Sequence, residues 1–466
     1  MNYDDIILGE GCKYTTNSLE TQLNNNVIVV GGSGSGKSMS YSESCLLKTK
    51  NSSLIVKLSK RKLIDKYTPL YESRAYDVKV LDLVNPAKSN VAFDPLYYIK
   101  SETDAVHLAK TLVKLDPEKS KPSSADPYWD ESATLLVYSL ILLALAMDEN
   151  ASLSSVIRYI KNLKISDDYS SSISTNLDST FNAIEEERPD HPAVTAWRSF
   201  SQLPPKTARC IYGTLISALD AVFTPGILEM MDKENKIDFQ ETARKKTIIF
   251  VLTSAVSPAI HSFANLFFAY AIKELFEFAE EQPNGKPPVP LHLLCDDFAV
   301  GGCIEKFQEY ISIFREKQIR ISMLLQSESQ LVSMYGEDNA TTIINNCDTY
   351  VYMGGMDLRT CNHISQRANL PLEDILYMPI ARSIIFRRGQ KPIFTNRYNI
   401  TENPLYREIT AQFESKTQKE DTGERDFKSF LEQLNPAHIS NNGDSPEDDL
   451  RAELEAKFDE LFGNAS

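Results

Sequence analysis

Eight consecutive residues near the start of the chain have the composition of a phosphate-binding loop. They follow the apolar run Val27–Val30 and match the pattern G-x-x-x-x-G-K-[ST]: Gly31, Gly32, Ser33, Gly34, Ser35, Gly36, Lys37 and Ser38. Glycines let the backbone wrap phosphates with its N–H groups pointing inward, and the following helix N-terminus adds positive potential. We expect Lys37 to reach the β- and γ-phosphates of ATP and Ser38 to ligate Mg²⁺. A chance glycine–serine loop is the alternative, but the strand-loop-helix context argues against it.

A pair of carboxylates follows a second apolar run, in the segment LHLLCDD, which places Asp296 and Asp297 at the carboxyl end of a predicted strand. Ligands of parallel sheets bind at that edge. We expect Asp296 to hold Mg²⁺ through water and Asp297 to polarise the attacking water. The alternative is an acidic turn at the end of the strand that has no catalytic role.

Two further polar residues are candidates for the same reaction. Gln326 ends the next predicted strand, where a side chain would sense the γ-phosphate, although a polar strand terminus is an equally ordinary explanation. Arg315 lies between the two strands, and in ring ATPases such an arginine reaches the nucleotide of a neighbouring subunit. A solvated helix-face cation is the alternative, and Arg320 is the competing candidate.

The composition indicates a cytosolic globular protein. The net charge of −15 argues against a surface coated with nucleic acid but leaves room for a local basic channel. Seven scattered cysteines without a C-x-x-C pair favour a reducing compartment. The N-terminus has no signal peptide, and the longest apolar stretch, 135–147, is shorter than the ~20 residues of a spanning helix. We predict a buried core helix there.

Strand and helix patterns alternate in a way typical of an α/β fold with a mostly parallel central sheet. Strands are predicted at Val27–Val30, Ser53–Leu58, 78–83 and Thr247–Leu252, and within LHLLCDD, ISMLLQ, TYVYMG and SIIFRRG. Helical periodicity replaces strands in between. We therefore predict a discontinuous nucleotide-binding domain, 1–103 and 245–410, interrupted by an all-α domain, 104–244. The segment 411–466 is predicted to be an acidic, largely disordered tail with one short helix.

Several segments together resemble the type IV secretion coupling proteins, the TraG/TraD-like conjugation ATPases, in the form found in Gram-positive mobile elements. They are NVIVVGGSGSGKS, DVKVLDLVNPAKSNVAFDPLYYI, SADPYWDESATLLVYSLI, the segment from VPLHLLCDDF to MLLQSESQL, and NNCDTYVYMGGMDLRTCNHIS. The resemblance runs over about 6–400. It implies a RecA-like P-loop motor with an all-α insertion, hexameric rings, ATP and Mg²⁺ as cofactors, and transfer of a relaxase with its single-stranded DNA, or another substrate, into a secretion channel.

The resemblance also assigns residues. Lys37, Ser38, Asp296, Asp297 and Gln326 take the roles given above, and Arg315 falls where the family has its trans-acting arginine. Three departures stand out. Asp297 replaces the usual Glu, so we expect slow or regulated hydrolysis. The segment VKLSKRKL, 56–63, replaces an Asp-Pro-Lys-Gly-Glu turn, losing an acid and gaining bases. The usual N-terminal transmembrane helices are missing, so we expect the membrane anchor to be absent, separate or removed.

Other residues leave alternatives open. Lys206 and Arg209 are candidates to face a DNA channel, but a solvated helix face explains them as well. His261 is expected to be a packing histidine rather than a base. Three functions compete: a DNA or protein translocase of conjugation, a nucleotide-gated substrate receptor with weak ATPase activity, and a duplex DNA pump of the FtsK/HerA type. The predicted α insertion and the Asn-Cys-Asp segment count against the third.

Overall fold

The structure, a computed structural model, describes residues 3–115, 127–165, 173–254, 257–300 and 303–417. The chain divides into two compact units, Met1–Ile409 and Thr410–Ser466. In the second unit only the first residues, part of a helix at 404–417, are described. The predicted acidic tail and its short helix lie almost wholly outside the described residues and stay a prediction.

The first unit contains eleven described strands. They are β1 Asp5–Gly9, β2 Cys12–Thr15, β3 Val27–Val30, β4 Ser53–Leu58, β5 Asp77–Asp82, β6 Thr247–Leu252, β7 Leu291–Cys295, β8 Ile319–Leu325, β9 Thr349–Tyr352, β10 Arg382–Arg387 and β11 Ile393–Asn396. All eight strands predicted from sequence are present. The sequence analysis does not predict the two strands of the hairpin β1–β2 or the short edge strand β11.

Nine of these strands form one sheet in the order β11-β10-β9-β3-β8-β7-β4-β6-β5. Pairing is parallel from β9 through to β5, and antiparallel where β10 joins β9 and where β11 joins β10. The strands β3, β4, β6, β7 and β8 are buried along their whole length. Such near-continuous apolar runs are typical of a parallel sheet covered on both faces. The predicted RecA-like α/β class is therefore confirmed.

Helices connect and cover the strands. They are α1 Ser18–Thr21, α2 Glu43–Lys48, α3 Arg61–Ser73, α4 Glu102–Val113, α5 Pro127–Met147, α6 Leu153–Lys161, α7 Asp178–Glu187, α8 Pro192–Ser201, α9 Pro205–Val222, α10 Pro225–Met231, α11 Phe239–Arg244, α12 Pro258–Glu281, α13 Phe307–Ile313, α14 Glu328–Tyr335, α15 Glu337–Asn345, α16 Leu358–Ala368 and α17 Leu372–Leu376. The described residues between β5 and β6 contain no strand longer than an isolated bridge, as predicted for the all-α segment.

The core lies on the two faces of the sheet. One apolar cluster, around Val29, Leu54 and Phe250, packs under α2 and α3. The other joins Ile28 and Ile55 to the helices between β5 and β6 without a break. Helix α5 is long and apolar enough to cross a membrane, as is the bent pair α9–α10, but more than half of the apolar window of α5 is buried inside the protein. These observations favour the predicted core helix.

The N-terminal hairpin is fastened to the amino edge of the sheet by one buried carboxylate. Asp4 accepts hydrogen bonds from the backbone N–H groups of Lys50 and Asn51 at 2.8 and 2.9 Å, and from the backbone and hydroxyl of Ser52 at 3.0 and 2.6 Å. Its side chain also faces the buried Arg320 guanidinium at 3.8 Å. A buried carboxylate with this many donors orders the turn before β4.

We expect Asp4→Ala to lower the free energy of unfolding by about 2–4 kcal/mol, because it leaves several buried donors unpaired. The neighbouring Asp5, whose side chain is 44% exposed in a surface pair with Lys13, provides the matched control. Asp5→Ala should change stability by less than about 0.5–1 kcal/mol. Urea unfolding of both variants measures the difference, and equal losses would contradict the anchoring role of Asp4.

Candidate nucleotide-binding site

The phosphate loop connects β3 to a helix, as its sequence predicts. The N–H of Gly31 bonds the Leu325 carbonyl at the end of β8, and the N–H of Gly32 bonds the Gly354 carbonyl after β9 at 2.8 Å. The loop is thus anchored to both neighbouring strands. The first turn after Lys37, Ser38–Ser42, is π-helical. Such widened turns are frequent at functional sites.

Lys37 and the acidic pair converge at this loop. The ammonium group of Lys37 is buried and donates hydrogen bonds to the carbonyls of Gly31 and Gly32 at 2.6 and 3.1 Å. Burial lowers the pKa of Lys37, and the charges of Asp297 and Asp296 oppose that change. Two segments separated by some 260 residues therefore meet in one electrostatic site.

The Asp296 carboxylate also reaches the hydroxyl of Ser38. Burial raises the pKa of Asp296, the hydrogen bond from Ser38 lowers it, and the adjacent Asp297 charge raises it again. A hydroxyl and a carboxylate oxygen are hard ligands that suit Mg²⁺, which usually keeps waters and nucleotide phosphates as its other ligands. Within the described residues no three His, Cys, Asp or Glu side chains form a metal cluster of their own. The residues present therefore fit a magnesium nucleotide.

The backbone fixes both acids in place. The N–H of Asp296 bonds the Lys57 carbonyl of β4 at 3.2 Å, and the N–H of Phe298 bonds the Leu324 carbonyl of β8 at 3.0 Å. Asp297 lies between these anchors with φ +50°, a left-handed conformation that non-glycine residues rarely adopt. Strain of this kind is concentrated at functional sites. The turn directs the Asp297 side chain independently of the strand pleat.

Gln326 lies where the sequence places it, directly after β8. Its side chain is exposed, and its N–H is held by the side-chain oxygen of Gln330 at 3.0 Å. Because β8 separates β3 from β7, Gln326 follows the strand that lies between the phosphate loop and the acidic pair. Gln326 therefore lies at the predicted edge of the sheet, and its role as a γ-phosphate sensor stays a prediction.

Arg315 and Arg320 do not join the site within their own chain. Both lie at the amino end of β8, where they line a small cavity with Tyr3. The seven residues of β8 separate that edge from the carboxyl edge by about 20 Å. Arg320 is buried against Asp4, whereas Arg315 is exposed. Of the two, Arg315 alone is exposed for a contact with another copy of the chain.

An arginine that the sequence analysis missed lies on the phosphate loop. Arg397 follows β11, and its guanidinium donates to the Ser35 carbonyl. A Cβ atom on Gly36, whose φ is +83°, would lie 2.8 Å from that guanidinium. Burial lowers the pKa of Arg397. No carboxylate of the described residues forms an ion pair with it. No motif marks this residue in sequence, since only the β10–β11 pairing brings it there.

Two buried polar residues lie behind the acidic pair. Lys57, near the end of β4, is 2% exposed, and burial lowers its pKa to about 8. His261, in α12, is also buried; burial and then the charge of Lys57 lower its pKa to about 4. His261 is therefore neutral at neutral pH. The side chain of His261 packs in the interior, as predicted, and it lies close enough to the site for the charges of Lys57 and Asp297 to act on it.

The residues considered for a DNA channel lie in the first two turns of α9. Lys206 is exposed, and Arg209 is half-buried with its Nε bonded to the Pro205 carbonyl of the same helix. These positions fit a contact with DNA in a channel and a solvated helix face equally well.

A comparison with protein-family models places this site in a known context. The model described as "Type IV secretory system Conjugative DNA transfer" matches residues 7–370. The chain belongs to this family. No curated protein matches the chain in sequence.

Solved structures with the same fold include two forms of a plasmid coupling protein. TrwB in complex with the non-hydrolysable ATP analogue ADPNP has a TM-score of 0.57 at 15% identity, covering 80% of this chain and 85% of its own. TrwBΔN70 in its unbound monoclinic form has a TM-score of 0.57 at 14% identity, and the match covers 84% of this chain and 88% of TrwBΔN70. VirB4 of Thermoanaerobacter pseudethanolicus has a TM-score of 0.52 at 10% identity, and the match covers 82% of this chain and 91% of VirB4. At these identities the likeness confirms the fold.

We expect Arg397→Gln to weaken binding of Mg·ADP by about tenfold or more, because a half-buried guanidinium next to a phosphate loop contributes a charge-assisted contact. The control is Arg388→Gln. Arg388 lies on the β10–β11 turn, where it is exposed and forms an ion pair with Asp348. Isothermal titration of both variants provides the comparison. Equal affinities for wild type and Arg397→Gln would show that the arginine serves the loop only structurally.

Proposed function

We propose that the protein is an ATPase that couples substrates to a conjugative type IV secretion channel. The observation that carries the proposal is the convergence of Lys37 and Ser38 with Asp296 and Asp297 at one edge of the sheet. In this proposal Lys37 contacts the β- and γ-phosphates, Ser38 and Asp296 hold Mg²⁺, and Asp297 orients the attacking water while Gln326 senses the γ-phosphate. Magnesium supplies charge neutralisation for the transferred phosphoryl group.

Relatives support the choice of nucleotide. The coupling protein TrwB has been solved with an ATP analogue, a GTP analogue, and ADP with Mg²⁺. We infer that this chain binds the same class of ligand, ATP with Mg²⁺, at its own phosphate loop. The glycine turn and the hydrogen bond between Ser38 and Asp296 support this inference.

The remaining parts of the proposal rest on the family. We propose that 1–103 and 245–410 form the motor and 104–244 the helical domain, and that copies assemble as a hexameric ring in which Arg315 reaches the neighbouring nucleotide. The ring works on the cytoplasmic side of the membrane, recruited by channel components or a separate anchor. Its cargo is a relaxase with single-stranded DNA, or another secreted substrate.

A second function is favoured by one feature of the site. Asp297 has one methylene less than the Glu that the family usually carries, which shortens its reach by about 1.5 Å, and a misplacement near 1 Å can lower a rate by ~10²-fold. A chain with this acid would bind ATP and hydrolyse it slowly. It would then act as a nucleotide-gated receptor for substrates rather than as a fast motor.

We expect slow ATP hydrolysis by the wild type that single-stranded DNA stimulates, and no hydrolysis by Lys37→Ala, because that variant loses the cation that binds the β- and γ-phosphates. Phosphate release, measured with and without single-stranded and duplex DNA, is the assay. Turnover that persists in Lys37→Ala would refute the assignment of the loop.

The same assay separates the alternatives. Tight Mg·ATP binding with negligible turnover, raised by Asp297→Glu, would support the receptor. Stimulation by duplex rather than single-stranded DNA would support a duplex pump of the FtsK/HerA type. Stimulation by single-stranded DNA in the wild type supports the conjugative motor.

A further inference from the structure

Among the described residues, the buried lysine of β4 has no partner that matches its charge. Lys57 is 2% exposed, and its ammonium makes two long contacts, 3.5 Å to the Asn265 side-chain oxygen and 3.4 Å to the Val300 carbonyl. No carboxylate of the described residues lies within ion-pair distance of it. Lysines are almost never fully buried unless paired, since the cost of removing the charge from water is large. A buried cation in this state costs stability.

Lys57 supports the turn that carries the acid assigned to the attacking water, because its ammonium contacts the carbonyl of Val300, three residues after Asp297. The charge of Asp297 also acts on Lys57, on Lys37 and on His261. Two further titratable groups interact with Lys57: the buried thiol of Cys295, its partner across the β4–β7 pairing, and the imidazole of His261. The backbone before Asp297 is tied to the same strand, because the N–H of Asp296 bonds the Lys57 carbonyl.

We propose that Lys57 is a positioning residue that orients the Asp297 carboxylate and, through it, the attacking water; this inference rests on the proposed ATPase function. The backbone carbonyl of Lys57 binds the N–H of Asp296 and its ammonium contacts the Val300 carbonyl, so Lys57 holds both ends of the turn that carries Asp297. The longer-range attraction between the Lys57 ammonium and the Asp297 carboxylate adds to this support when Lys37 turns from the loop carbonyls to the phosphates. Neither Lys57 nor His261 touches the reacting atoms.

The test replaces the cation with an apolar side chain of similar length. Lys57→Met should lower ATP turnover by about 10²-fold, the scale of a misplaced reacting group, and change the affinity for Mg·ADP by less than about threefold. It should also raise the melting temperature, because a buried unpaired charge is removed. Lys79→Met, at a buried lysine of β5 paired with Glu241 and Asp77, is the control and should leave turnover unchanged. Lys57→Gln provides a second variant if the Met variant does not fold.

A double-mutant cycle separates positioning from a merely structural role. If Lys57 acts through Asp297, the loss in Lys57→Met/Asp297→Asn should be no larger than in Asp297→Asn alone. Losses that multiply, or unchanged turnover in Lys57→Met, would overturn the inference. If wild-type turnover is too slow to follow, binding of ADP with aluminium fluoride and Mg²⁺ replaces it: Lys57→Met should weaken this complex but not Mg·ADP. A wild type that binds no nucleotide would refute the ATPase proposal itself, and the inference with it.

Discussion

The attraction between the lysine of the phosphate loop and the acidic pair after β7 is the interaction on which the site depends. It acts across an intervening strand, because β8 lies between β3 and β7 in the sheet. Two strand spacings amount to about 9–10 Å, which is enough room for phosphates, a metal and a water molecule. Gln326 directly follows the intervening strand, at the same edge of the sheet. The strand order, more than any single residue, therefore creates the geometry of the proposed site.

The sheet supplies the rigidity that this arrangement requires. Two carboxylates are adjacent, one of them in a left-handed backbone conformation, and two lysines are buried nearby. Each of these features costs free energy. Continuous apolar clusters on both faces of a nine-stranded sheet offset that cost. The loop and the acids are held by backbone hydrogen bonds to neighbouring strands, so their positions follow from the strand pairing rather than from side-chain packing alone.

Sequence patterns predicted the interior of the fold well and its periphery less well. The eight predicted strands are β-branched or leucine-rich runs with ends marked by polar residues, and buried parallel strands give that signal directly. The strand β11 alternates half-buried and exposed residues at the edge of the sheet, and β1 offers only three apolar residues, Ile6 to Leu8, between an acid and a glycine, so both signals are short. Their pairing is decided by long-range contacts. Gly9, for example, approaches β11 too closely for any side chain, since a Cβ there would lie 2.5 Å from Thr395.

The site shows the same division. Lys37, Ser38, Asp296, Asp297 and Gln326 were predictable because each follows a recognisable strand end. Arg397 and Lys57 were not, because a cation in an edge connection and a cation in a buried strand acquire meaning only when distant segments pair. Arg315 was predicted from its place between two strands, and the structure adds that it lies at the opposite edge of the sheet from the loop of its own chain.

A crystal structure of the protein with Mg²⁺ and a non-hydrolysable ATP analogue would show whether the phosphate loop and the acidic pair bind one nucleotide. We expect the metal at about 2.0–2.1 Å from the Ser38 hydroxyl, joined to the Asp296 carboxylate through a water, with the γ-phosphate between Lys37 and Asp297. A nucleotide bound away from the gap between the phosphate loop and β7, or a metal with neither Ser38 nor Asp296 in its surroundings, would contradict this expectation.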